Sequence, residues 1–133
     1  MNKTDKHNNE LLAGTCLLIG IANSDEKFQN SEYQIIKDII QDFFDCDENL
    51  LNDTIVSAKK KLNDSTDIYE FSKTLNSLFT YQDKIDFISC AFEVAYIDGS
   101  IHYLEEHFIK KIANVLNIEH SDLIKAKNSQ KNI

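Results

Sequence analysis

The fold this sequence predicts is all-α, about seven helices in a compact bundle, and three observations lead there. Among 133 residues there is no proline and only three glycines, whereas β-rich and dinucleotide-binding folds spend many of both on turns and phosphate loops. Apolar residues recur at helical spacing along most of the chain. The hydrophobic fraction of 42%, with eight Phe and five Tyr, is enough for a real core. A single domain over residues 1–133 is expected, with an ordered core of about 10–126 and short polar termini.

Taken in order, the first helix is expected over residues 10–23, where Leu12, Cys16 and Ile19 fall at i, i+4 and i+7. The second begins near Ser31, where "SEYQ" fits a capping box closed by Gln34, and continues through Ile35, Ile36, Ile39, Ile40 and Phe43. The third, 48–62, uses Leu51, Ile55, Ala58 and Leu62, with the lysines of "AKKKL" on its solvated face. "NDSTD" then breaks the chain and supplies cap residues. The fourth, 67–78, carries the stripe Ile68, Phe71, Leu75, Leu78. The fifth, 82–97, is apolar almost all round and is expected to be the central helix. Its polar exceptions, Asp86, Ser89 and Glu93, form one narrow wet stripe, so Glu93 is read as a surface residue. A sixth helix, 103–117, and a short seventh, 120–126, precede a polar end expected to fray.

A net charge of −8 disfavours binding to nucleic acid or anionic membranes, which both rest on lysine and arginine. No apolar run approaches the ~20 residues that span a bilayer, and the chain is read as cytoplasmic. Cys16, Cys46 and Cys90 form no CxxC pair, so neither a zinc knuckle nor a disulfide framework is expected. Acids around Cys46 should raise its pKa.

Two stretches repeat one pattern without a gap: "IANSDEKFQNSEYQIIKDII" (21–40) and "VAYIDGSIHYLEEHFIKKIA" (94–113). Ala22 falls on Ala95, Asp25 on Asp98, Phe28 on Ile101, Glu32 on Glu105, Ile36 on Ile109 and Ile39 on Ile112. A duplicated helical hairpin is inferred, its two copies related by a pseudo-twofold axis.

The second copy, Ala95, Asp98, Gly99, Ile101 and Glu105, follows A-x-x-D-G-x-I-x-x-x-E and resembles the tellurite-resistance protein B (TerB) family. The same fold forms the N-terminal domain of DjlA-type co-chaperones. The first copy keeps only Ala22, Asp25, Phe28 and Glu32, with Glu26 in place of the glycine. The resemblance covers about residues 11–126. It implies a seven-helix bundle without catalytic machinery, a link to tellurite resistance and stress response, and an acidic face that in some members is thought to bind metal. No J domain accompanies it, so a complete co-chaperone is not expected.

Asp25, Glu32, Asp98 and Glu105, with Glu106 as an auxiliary, are therefore the candidate ligands of a divalent cation, Ca²⁺ or Mg²⁺, which takes several oxygen donors. "DGSIHYLEEHFI" lacks the alternating acids of an EF-hand, and His102 and His107 have no H-x-x-x-H or cysteine partner. The same acids suit purely structural work: Asp-Gly closes turns, and a glutamate in the first turn of a helix meets its dipole favourably. No phosphate loop, G-x-S-x-G elbow or HExxH is present, so the chain is read as a non-enzyme. The leading function is a module binding a protein partner. A structural or homodimerising domain, with an interface around Phe43, Phe44 or Phe79, is the alternative, and a small hydrolase with a Cys–His pair the third.

Overall fold

Residues 2–24, 30–64 and 68–131 are described by a computed structural model, and among them the chain forms seven α-helices and no strand. The helices are α1 (Lys3–Asn23), α2 (Asn30–Phe44), α3 (Glu48–Asp64), α4 (Ile68–Leu78), α5 (Tyr81–Ala95), α6 (Tyr103–Val115) and α7 (His120–Lys131).

Helix α1 starts at Lys3, seven residues before the expected start at residue 10. Asn2 is its cap, accepting from the Asp5 N–H at 2.8 Å, and a Lys6–Glu10 pair at 3.5 Å braces the next turn. His7 also meets the Phe44 carbonyl through Nε2 at 2.8 Å. From Leu11 to Ala22 the helix is buried on nearly every side and packs on α2, α3, α4, α5 and α6. The central position expected for α5 is thus shared with α1. Helix α5 touches α1, α2, α6 and α7.

The cap expected at Ser31 falls on a side chain outside the described residues; the helix already includes Asn30, and the Gln34 amide donates to Asp38 on the next turn at 3.0 Å. Helix α5 has a capping box, with Thr80 and Asp83 satisfying each other's backbone N–H groups. Helix α6 closes in a Schellman motif: Asn117 takes φ 58°, and the Ile118 N–H donates to the Ala113 carbonyl at 3.1 Å. The polar end expected to fray continues as helix to Lys131, with Leu123 and Ala126 buried and Lys127 bonded to Glu106.

Phe43, Phe44, Phe79 and Phe87 form one aromatic cluster with ring centroids 4.7–6.5 Å apart. Phe44 and Phe79 are buried there, and Phe43 is half-buried at the edge of the core. The matched positions Ala22 and Ala95, Ile36 and Ile109, and Ile39 and Ile112 are all buried.

Candidate functional site

The turn from α5 to α6 is built by short-range hydrogen bonds. After α5 the Tyr96 N–H returns to the Phe92 carbonyl at 2.9 Å, and the Gly99 N–H to the Tyr96 carbonyl at 2.9 Å. Gly99 takes φ +93°, a conformation that favours glycine. The Asp98 carboxylate accepts from the Ser100 N–H at 3.3 Å and closes the bend locally.

Helix α6 then opens on His102. Its Nδ1 accepts from the Leu104 N–H at 3.2 Å, which puts the ring proton on Nε2, and its own N–H donates to Glu105 Oε1 at 3.1 Å. Glu105 is thereby held in a capping box and is only 5% exposed. Histidine is not among the preferred cap residues, and this role was missed from sequence. The signal available was the spacing H-x-x-E at the head of an apolar helix.

Glu32, in the first turn of α2, is half-buried and joins Asp98 and Glu105 around one small cavity. Ala22, Val94, Ala95 and Ile97 complete its lining, and its volume is about 10 Å³. That is room for about one water or one ion, not for an organic ligand. Two of these acids come from the second copy of the repeat and one from the first. Asp25, the fourth predicted member, lies outside the described residues. Glu106 is not in the lining and pairs with Lys127 and, at 3.6 Å, with Lys110. The Lys127 hydrogen bond holds its carboxyl below the usual glutamate range.

The oxygen donors suit a hard cation. As the side chains stand, however, no group of three or more His, Cys, Asp or Glu among the described residues is placed to hold a metal ion. His107 is exposed on α6, and His102 is engaged as a cap.

Burial pushes the Cys16 thiol up to about 11, despite the opposing charge of Lys61, and that of Cys90 up to about 12. The Cys46 thiol is raised by burial first and by Asp47 second. All three are protonated at neutral pH and make weak nucleophiles, which leaves the Cys–His hydrolase without chemical support.

Among the described residues no helix is long and apolar enough to cross a membrane. The chain matches the family model described as tellurite resistance protein TerB over residues 11–128. No curated protein and no solved structure gives a significant match.

Proposed function

This chain belongs to the TerB family, a family of non-catalytic domains, and on that premise we propose that it is a binding module of a stress response of the tellurite-resistance kind. It engages a protein partner, and its acidic pocket takes one divalent cation. The observation that carries the pocket is the convergence of Glu32, Asp98 and Glu105, from three separate elements, on a cavity the size of one ion. Glu105, nine-tenths buried, would be the anchor of such a site, with Glu32 and Asp98 turning toward the ion and Asp25 as the fourth acid. Bound there, the cation would supply charge neutralisation and tie α2 to the α5–α6 turn. The two hairpins, α1–α2 and α5–α6, are read as copies related by a pseudo-twofold axis, with the pocket between their matched acids. The resemblance to the N-terminal domain of DjlA-type co-chaperones supports partner binding as the outcome.

The test is a melting titration of EDTA-stripped protein with Ca²⁺, Mg²⁺ and Zn²⁺. A ligand of the native state stabilises it by about 2.7 kcal/mol at a hundred times its Kd. A saturable rise with Ca²⁺ or Mg²⁺ is expected, lost in Glu105→Gln combined with Asp98→Asn. Glutamine at this position retains the capping bond to His102, so loss of the rise reports the charge and not the helix start. If millimolar ion leaves the wild-type melting temperature unmoved, the acids serve the turn and the cap alone.

A further inference from the structure

Helices α2 and α5 lie against each other, and a groove of about 490 Å³ runs between them. Ile35, Ile39 and Phe43, at i, i+4 and i+8 on α2, give it an apolar floor that continues on α5 through Cys90. Ile35 is 44% exposed there, a large apolar side chain with water over it. Both rims are acidic: Asp38 and Asp42 on α2 face Asp86 and Glu93 on α5, and all four are exposed. Two of them accept hydrogen bonds from a neutral amide on their own helix, Asp38 from Gln34 at 3.0 Å and Asp86 from Gln82 at 2.9 Å. None of the four forms a salt bridge among the described residues, and no cationic side chain lines the groove.

The groove does not stop at Glu93. A second depression of about 500 Å³ shares Ile35 and Glu93 with it and extends past Tyr96, Ile97 and Gly99 to Gln130. Along α5 from Asp86 to Ala95 the combined channel runs ~14 Å at 1.5 Å per residue, about two and a half helical turns, and it continues into the turn beyond. Its shape and spacing match the helix-in-groove mode of recognition, in which anchors at i, i+3 or i+4 and i+7 lie on an apolar floor.

Charge decides the occupant. A second copy of this chain carries a net charge of −8 and would bring more negative charge against four carboxylates. A cationic segment meets them favourably and gains in both encounter rate and register. We propose that the groove binds an amphipathic helix of a partner protein, its apolar face on Ile35, Ile39 and Phe43 and its lysines or arginines against Asp38, Asp42, Asp86 and Glu93. The proposal rests on the reading of the chain as a protein-binding module and is independent of the cation pocket.

The probe is a three- to four-turn helical peptide with leucine on one face and lysine elsewhere, and its counterpart with glutamate in place of lysine. Both are titrated into isotopically labelled full-length protein and followed by backbone amide shifts. The lysine peptide is expected to saturate, with shifts confined to residues 35–43 and 86–100 and to Gln130, and to bind at least tenfold more weakly in Asp42→Lys combined with Glu93→Lys. The glutamate peptide is expected not to bind. Glu105→Gln with Asp98→Asn, which removes the cation pocket, is expected to leave peptide affinity unchanged. Circular dichroism and melting of each variant confirm that it folds. The proposal is overturned by failure to saturate at 0.5 mM peptide, by equal affinity of the charge-reversed variant, or by shifts mapping elsewhere. A wild-type dimer that Ile35→Glu dissociates overturns it as well, because the groove is then covered by a second copy. Loss of peptide binding alongside a persisting cation shift removes the groove and leaves the cation pocket standing.

Discussion

Thr15 is fully buried in α1, and its hydroxyl finds no hydrogen-bond partner among the described residues. An unsatisfied buried polar group costs about 1–3 kcal/mol, while an apolar group of the same shape costs almost nothing there. Thr15→Val is therefore expected to stabilise the protein by about 1 kcal/mol, read as a rise of about 4 °C in melting temperature; a fall would mean that the hydroxyl has a partner. At this scale the sequence was partly legible. The Asp98–Gly99 bend was readable because Asp-Gly has one dominant use, and the structure places Gly99 at positive φ as that use requires. His102 was not, since a histidine cap depends on ring orientation and tautomer, which no spacing rule reports. Glu105 was singled out for its repeat position, yet its burial and its bond to His102 come from the way α6 enters the bundle.

Among the elements, α1 meets α2 where Gly14 faces the ring of Phe44. A Cβ at residue 14 would lie 2.8 Å from Phe44 Cε2 and 3.2 Å from Phe87 Cε1, inside ordinary contact distance. Alanine is the better helix former by about 1 kcal/mol, but forcing a methyl into a packed aromatic cluster costs about 1–3 kcal/mol. The packing cost is expected to win. Gly14→Ala should lower the urea midpoint, and adding Phe44→Leu should recover part of the loss. Recovery separates a clash from a backbone effect, since strain in α1 itself would not respond to residue 44. The existence and order of all seven helices could be read from periodicity, because each carries an apolar face against a neighbour. Their ends could not. Residues 3–9 and 127–131 have no apolar stripe to follow, and they are helical through the Asn2 cap, the Lys6–Glu10 pair and the Lys127–Glu106 bond. At "SEYQ" the helix includes Asn30, one residue ahead of the start expected from the motif.

On the scale of the whole molecule, Glu106 joins α6 to α7 through Lys127. Its carboxyl is depressed in the folded state, chiefly by that hydrogen bond. A depressed carboxyl contributes stability that is fully present above its unfolded pKa and is lost as pH falls through the folded one. Glu106→Gln should accordingly melt lower than wild type at pH 7, by the equivalent of about 1 kcal/mol or less. The two curves should converge once the pH has fallen below the depressed folded-state value of Glu106. A difference that persists there would assign the effect to packing rather than charge. The repeat made the pairing of Glu32 with Glu105 readable across more than 70 residues of chain, and both now line one cavity. What periodicity did not reveal is that α1 is enclosed on nearly every side, because a pattern along one helix says nothing of how many others will pack on it. That enclosure has a consequence for biogenesis. Every helix that buries α1 follows it in the chain. At ~5–20 residues per second of synthesis, roughly 4–16 s separate the emergence of α1 from that of α6. Until the last of these helices has emerged, the nascent chain carries an apolar cylinder that is only partly covered. The order in which the ribosome delivers the helices, more than the stability of the finished bundle, therefore sets when this protein is most exposed to aggregation.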